Sequence, residues 1–299
     1  MNNAIDQFQA AIAGTGLTPP DTIRADGALH RFSSNGKRAD DSGWYVLHAG
    51  DVPAGAFGCW RSGMSETWRA DIGRELTDEE RREYRNRQNA MKQARQKELH
   101  ERQAKAQKRA SEIWNESTCT LSHPYLSRKN VGSFGLRLRG DLLVVPMRDE
   151  WRHLTSLQFI KDNGTKRFLS GGRVVGCYHL IGEPAGMLCV VEGYATGATI
   201  HQLTKQAVAV AFNADNLLSV AEALRRRYRT ERILIFADND HKTEGNPGVT
   251  KAREAAAAVG GMVAIPECGE GTDFNDMAKE RGPEAVRDAL RAAIRRRAA

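Results

Sequence analysis

The chain has 299 residues, a net charge of +7 and a pI of about 9.3; it is long enough for two domains with proper cores and basic enough to suit a polyanionic partner. Its five cysteines, Cys59, Cys119, Cys177, Cys189 and Cys268, form no CxxC pair, which excludes zinc-ribbon spacing, and scattered thiols suit a reducing cytoplasm. No signal peptide and no membrane-length apolar run is present, so no membrane association is expected.

Residues 1–75 form a small unit. Ile5, Phe8 and Ile12 recur at helical spacing, so Asn3 to Ala13 is expected to be a short amphipathic helix, stopped by Gly14 and Gly16. Strand-like pieces follow at Leu29 to Phe32, Gly43 to His48 and Ala54 to Cys59, separated by turn-forming Gly, Asp, Ser and Asn. Trp44, Tyr45, Phe57, Trp60 and Trp68 are interleaved with Arg31, Lys37, Arg38, Arg61 and Arg69. Aromatics among cations can stack the bases of a single strand while the cations hold its phosphates, which makes Trp44, Trp60 and Trp68 candidates for single-stranded DNA contact. The same rings can equally be the core of a small β-rich domain.

Residues 76–115 contain no Gly or Pro and few apolar side chains. Thr77, with Glu80 three residues on, has the form of a capping box. One long solvated helix with many i,i+4 charge pairs is expected. It reads as a connector between domains, though its Arg and Lys side chains could also follow a nucleic-acid backbone.

Residues 116–185 are expected to form a mixed, β-rich lobe. HPYLSRKNV enters a helix near Pro124; Asp141 to Met147, Leu154 to Lys161 and Arg167 to Leu169 read as strands; Gly171 and Gly172 make a turn, and CYHLIG closes the segment.

Residues 186–282 alternate strands and helices, the pattern of a mainly parallel sheet covered on both sides. Leu188 to Val191 is an unbroken apolar run, as in a strand buried on both faces; Glu192 follows, Gly193 turns the chain, and Ala195 to Lys205 reads as a helix. Ala207 to Phe212 is the next strand and Leu217 to Arg229 the next helix. Ile233 to Phe236 repeats the plan and leads through Ala237 to Asp238 and Asp240, which, two apart on an extended chain, point the same way. A polar loop with His241 and Lys242 precedes the helix Val249 to Val259 and the strand Met262 to Ile265, after which GTDFND, Gly271 to Asp276, adds further acids. Residues 283–299 read as a basic amphipathic helix, with Val286, Leu290 and Ile294 packing back on the body.

Open α/β sheets place ligands at the carboxyl ends of their strands. Clustered carboxylates repel one another unless a cation lies between them. An oxygen-only set suits Mg²⁺ or Mn²⁺, and Mg²⁺ keeps waters and substrate phosphates in its shell. That favours phosphoryl or nucleotidyl chemistry over redox or acyl transfer. Asp and Asn are also plain turn formers at strand ends, so DND alone does not decide the matter.

Taken together, VVEGYATGATI, AVAVAFNADNL, FADND and GTDFND resemble the Toprim domain shared by bacterial-type primases, topoisomerases and some nucleases. The particular form is similar to primases encoded by plasmids, phages and integrated mobile elements. The likeness runs over residues 120 to 285, and residues 1 to 75 resemble the amino-terminal segment often found in such proteins. The resemblance implies that Glu192 lies near the reacting phosphate as a catalytic or metal-holding acid, and that Asp238 and Asp240 are the DxD metal ligands. Asp273 matches the acid of the third motif, with Asp276 as a further ligand. By the same similarity Arg148, Lys161, Lys166, Arg167 and Arg173 face the nucleoside triphosphate or the template, and Lys242 lies within reach of phosphate. Two positions depart from the pattern. Asn275 stands where replicative primases commonly have a second aspartate, and Thr196 where they carry an acid, which implies a less negative metal site.

The implied activity is metal-dependent synthesis of short RNA primers from nucleoside triphosphates on single-stranded DNA, in the replication of a plasmid, phage or mobile element. A separate replicative helicase is implied as partner, since no GxxxxGKS or GxxxxGKT string occurs. A topoisomerase is set aside, because its tyrosine domain does not fit in 299 residues. A Toprim nuclease and a catalytically weak single-stranded-DNA-binding accessory protein are the alternatives. The expectation as a whole depends on Glu192, Asp238, Asp240 and Asp273 meeting around one divalent ion.

Overall fold

The computed structural model describes residues 2–298 apart from 39, 61, 63, 74 and 76. Contacts group the chain into two compact units, Met1–Ala94 and Arg95–Ala299. Among the described residues no helix is long and apolar enough to cross a membrane.

In the first unit, α1 (Asn2–Gly14) buries Phe8 and Ile12 completely. They lie against an antiparallel sheet of β1 (His30–Phe32), β2 (Gly43–His48), β3 (Ala54–Cys59) and β4 (Met64–Arg69), paired in that order. β4 escapes a sequence reading because MSETWR is an exposed edge strand with little apolar patterning. Phe8 meets Tyr45, Phe57 and Trp68 edge-on, with ring centroids 6.0, 5.6 and 5.0 Å apart. Trp68 is thereby committed to packing against the core, and Trp44 is only 6% exposed. Enclosed in this way, the Trp44 indole has no face left for a base, while Trp68 is only partly buried. Trp60, 51% exposed, keeps one. Arg61, counted above among the interleaved cations, lies outside the described residues, as does the side chain of Glu80.

The long helix α2 (Asp78–Glu116) is present but is not solvated throughout. Ala106, Ala110 and Ile113 are buried, and Ala110 and Ile113 share a cluster with Val144, Leu157 and Leu169. Spacings of four and three make a narrow apolar stripe, and alanines among so many charges hide it from the sequence.

The second unit holds two five-stranded sheets. The lobe sheet is an antiparallel run of β5 (Thr118–Cys119), β6 (Arg137–Arg139), β7 (Leu142–Arg148), β8 (Leu154–Ile160) and β9 (Lys166–Phe168), with α3 (Pro124–Lys129) between its first two strands in sequence. The other sheet comprises β10 (His179–Ile181), β11 (Met187–Val191), β12 (Ala207–Val210), β13 (Arg232–Phe236) and β14 (Met262–Ala264), in the spatial order β10-β12-β11-β13-β14. β10, from CYHLIG, runs antiparallel on the edge beside β12; the other pairs are parallel.

Alternation along these strands explains their unbroken apolar runs. Leu188, Val190, Ile233 and Ile235 face a cluster with α5 (Leu217–Arg227) and α6 (Pro247–Ala258). Cys189, Val191, Leu234 and Phe236 face a second cluster with α4 (Tyr194–Thr204), α7 (Phe274–Arg281), α8 (Pro283–Ala298) and the lobe residues Leu143, Val145 and Met147. Val286 is fully buried, and Leu290 and Ile294 pack against the same cluster, as expected for the terminal helix.

Asn216, at the end of a 3₁₀ turn (Ala214–Asn216), ties the segment before β10 to this sheet. Its buried amide donates to the carbonyls of Val174, Cys177 and Ala211 at 3.1, 3.0 and 2.8 Å and accepts from the Gly176 amide at 2.8 Å. Removing it leaves four backbone groups without that partner, so Asn216→Ala is expected to cost about 2 kcal/mol. Chemical denaturation read by circular dichroism checks it.

Candidate active site

The first acidic position follows β11 directly. The carbonyl of Glu192 accepts the Phe212 amide at 2.8 Å, which holds the ends of β11 and β12 together. Phe212 makes this bond in the left-handed region, at φ 75°, a backbone strain that the surrounding structure has to compel. Gly193 then starts α4 without a side chain. A Cβ there would lie 3.6 Å from Lys166 Nζ, an ordinary contact distance that places the lysine against the start of α4.

Asp238 and Asp240 sit past the end of β13. Asn239 between them donates its amide to the Thr272 carbonyl at 2.7 Å and its side chain to the Pro266 carbonyl at 3.2 Å, and accepts from Asn246 at 2.8 Å. The second acidic loop is thus bonded to the third. Asp240 Oδ2 accepts the Gly248 amide at 3.1 Å, at the start of α6. Asp273 is the N-cap of α7, its Oδ1 accepting the Asn275 and Asp276 amides at 2.7 and 2.9 Å.

Electrostatics joins these loops. Burial, followed by the charges of Glu192, Asp273 and Asp240, pushes the Asp238 carboxyl up to about 8. Its Oδ1 is buried without a hydrogen-bond partner. Burial also raises Glu192; the Lys166 ammonium opposes that rise, while Asp240, Asp215 and Asp273 add to it. Asp215 went unremarked in the sequence, although it lies within the quoted string AVAVAFNADNL; its own partner is Lys251, 3.7 Å away.

Among the described residues no group of three or more His, Cys, Asp and Glu side chains is placed to hold a metal ion. Asp240 and Asp273 each accept helix amides through one carboxylate oxygen, Oδ2 and Oδ1 respectively, at the starts of α6 and α7. The site fits a hard divalent cation in a looser way. Its donors are all oxygens, one of them is buried and unpaired, and Mg²⁺ ordinarily takes one or two carboxylates and fills its shell with water and phosphate.

Asp276 does not join the group. It faces Lys129 Nζ at 3.6 Å and accepts the Thr272 amide at 3.4 Å. Asn275 is buried, donating to the Lys129 carbonyl and to Thr199 Oγ1, both at 2.8 Å. An ionised aspartate cannot donate to that carbonyl, so Asn275 ties α7, α4 and the end of α3 together through its amide nitrogen, while its Oδ1 is buried without a partner. Thr196 is buried in the first turn of α4.

The basic candidates separate. Lys166 stands beside Glu192, and Arg167 and Phe168 are exposed next to it on β9, with Phe168 edge-on to Phe212 at 6.2 Å. Arg148 donates to the Arg152 carbonyl at 3.0 Å and lies 6.0 Å over the Trp114 ring. Arg173 donates to Cys177 Sγ at 3.3 Å and pairs with Asp149 at 3.7 Å. Those two are engaged in the lobe, while Lys161 and Lys242 are exposed.

Residues 187–284 match the family model of the Toprim domain. Two curated relatives, both DNA primases TraC of Escherichia coli, are 34% identical over 284 residues and 30% identical over 285, each match covering 87% of this chain. The matches cover 26% and 19% of those proteins, so the chain spans about a quarter or less of their length. Among solved structures, the primase fragment of the bacteriophage T7 primase-helicase protein superposes with a TM-score of 0.42 at 15% identity, over 57% of this chain and 70% of that one. A DnaG primase catalytic domain bound to single-stranded DNA gives 0.40 at 16% identity, over 58% and 68%.

Proposed function

We propose that this chain, with its Toprim domain at residues 187–284, is the catalytic part of a plasmid-type DNA primase. It would join ribonucleoside triphosphates into short RNA on a single-stranded DNA template. The observation that carries the proposal is the shared charge environment of Glu192, Asp238, Asp240 and Asp273 at the carboxyl ends of parallel strands. The similarity to plasmid primases over 284 residues supports it.

In the reaction a primer 3′-hydroxyl attacks the α-phosphate and pyrophosphate leaves. A divalent ion, Mg²⁺ or Mn²⁺, would supply charge neutralisation at the phosphates. Asp238 would hold it, through an oxygen with no hydrogen-bond partner, with Asp240 and Asp273 contributing the oxygens their helix amides leave free. Glu192 lies close enough to Lys166 for the two charges to interact. In this reading Glu192 accepts the hydroxyl proton or steadies the ion, and Lys166 holds a triphosphate oxygen. Arg167 on the same exposed strand would follow the template backbone. A separate replicative helicase and a cytoplasmic, mobile-element setting belong to the same proposal.

The test is incubation with single-stranded DNA, Mg²⁺ and labelled ribonucleotides, beside an Asp238→Ala/Asp240→Ala chain. Short RNAs from the unaltered protein alone support priming. Shortened template points to a nuclease, and retention on DNA without either product points to an accessory binding protein. If Lys166 holds triphosphate, Lys166→Gln raises the nucleotide KM about tenfold, the scale of one charge-assisted phosphate contact. Steady-state kinetics reads it directly.

A further inference from the structure

Trp60 has no part in the chemistry of the acidic loops, yet it sits on a surface with its own logic. In the first unit Tyr45, Leu47 and Phe57 point into the core with α1. Strand register fixes what lies on the opposite face of the sheet. Arg31 pairs with Trp44, Trp44 with Gly58 and Gly58 with Ser65. The next row is Val46, Ala56 and Thr67, and the one after it His48, Ala54 and Arg69. Arg31, Ser65, Thr67 and Arg69 are exposed, and Val46 and Ala56 half-buried.

Trp60 follows β3 and leans on Trp44, with ring centroids 5.6 Å and planes 37° apart. A Cβ on Gly58 would come within 2.8 Å of the Trp44 ring, so the glycine lets that indole lie down on the strand and serve as a floor. The Arg31 guanidinium stands 5.9 Å from the Trp60 centroid and is anchored by donation to the Asp41 carbonyl at 3.0 Å. The result is a half-exposed indole that rests on Trp44, with the Arg31 guanidinium reaching over the rim of its ring.

We infer that this face is a stacking platform for single-stranded nucleic acid. An unpaired base lies on Trp60, and neighbouring phosphates meet Arg31 and Arg69. The inference rests on the proposed function, because a primase works on an unpaired template. A ring already held by a second ring loses little freedom when a base covers it. Every base has a π-face, so the contact takes bases without reading sequence. A protein partner would call for a contiguous apolar patch, whereas Trp60 is bordered by hydroxyls, small residues and arginines. Acidic and basic side chains are nearly equal in number over residues 1–94, so the attachment combines stacking with the two arginine–phosphate contacts, and it weakens with salt only as far as those two contacts require.

The test titrates the full chain with oligothymidine, following anisotropy of a labelled strand and tryptophan emission. Trp60→Ala is expected to weaken binding about tenfold, and Trp60→Phe, which keeps a ring and the fold, about twofold or less. Emission quenching in the unaltered chain shrinks in Trp60→Phe. The platform is overturned if Trp60→Ala binds like the unaltered chain, if Ala and Phe weaken it equally, or if quenching is unchanged in Trp60→Phe. Primer synthesis, assayed separately, keeps the two ideas apart. A chain that makes no primer but shows the Trp60 dependence upsets the proposed function alone, and a primer-making chain indifferent to Trp60 upsets the platform alone.

Discussion

Asp238→Asn is expected to abolish metal-dependent RNA synthesis and, in the same molecule, to make the metal-free protein harder to unfold. The loss of activity should be on the order of a thousandfold, the scale of one well-placed charge-stabilising ligand. The gain in stability comes from the same cause. Asp238 is held near Glu192, Asp273 and Asp240 with an oxygen that no donor satisfies, and burial pushes its carboxyl up to about 8. The unfolded chain gives up that proton near the ordinary carboxyl value of 3.8, so folding takes up a proton between those limits. Stability of the metal-free protein therefore falls as pH rises from about 4 to about 8. Asparagine has no proton to lose and flattens that fall. A Tm rise of about 2–4 °C at pH 8 is expected, the shift that ~1 kcal/mol produces in a unit of this size. Mg²⁺ should raise the Tm of the unaltered chain, by linkage, and leave that of Asp238→Asn nearly unmoved. Scanning calorimetry at several pH values, with and without Mg²⁺, tests both halves. An Asp238→Asn chain that is less stable at pH 8 than the unaltered one would show that the carboxyl is a structural partner and not a strained one.

The half of the chain that carries these acids was readable because a parallel sheet is buried on both faces. Its strands appear as LCVV and ILIF, and an acid at the end of such a run stands out. Elements that failed to announce themselves failed for physical reasons. β4 is an exposed edge strand, and α2 buries alanines whose small area leaves almost no signal among its charges. GTDFND, rich in turn formers, gives no helical signal of its own, yet it holds the N-cap of α7 followed by Phe274, which packs edge-on to Phe236 at 4.8 Å. In the site, sequence could say which carboxylates stand near one another. It could not say which oxygens are already bonded, since that depends on amides delivered by α6 and α7. Asn275 illustrates the same limit: aligned with an acid in replicative primases, it looks like a lost ligand, and only its donation to the Lys129 carbonyl shows it is a tie.

Gly248→Ala should disable the site without touching a charged group. Gly248 lies in the first turn of α6, packed directly under the acidic loop. A Cβ added there would lie 2.9 Å from Asp240 Oδ2 and closer still to the Asp238 carbonyl oxygen. Neither obstacle can yield cheaply. The carbonyl is backbone, and Asp240 is held by the Gly248 amide itself. Asn239, between the two acids, is bonded to Thr272 and Pro266, so a shift of this loop is passed to the loop that carries Asp273. Helix propensity favours alanine over glycine by about 1 kcal/mol, which makes the sign of the result informative. If the close approach did not matter, the substitution would stabilise. Overpacking against backbone is expected to win, with a net loss of about 3 kcal/mol and a Tm lower by about 6–12 °C. Primer synthesis at a temperature where the variant is still folded should fall about a hundredfold, because displacement of a catalytic group by about an ångström costs that much. Gly245→Ala, in the preceding loop where a Cβ would meet nothing within 4 Å but φ is 75°, is the matching control. It pays backbone strain of about 1 kcal/mol and leaves the acids in place, so stability drops slightly and synthesis holds. A Gly248→Ala chain as stable and as active as the unaltered one would mean that the acidic loop and α6 do not share the close contact on which the geometry of Asp238 and Asp240 depends.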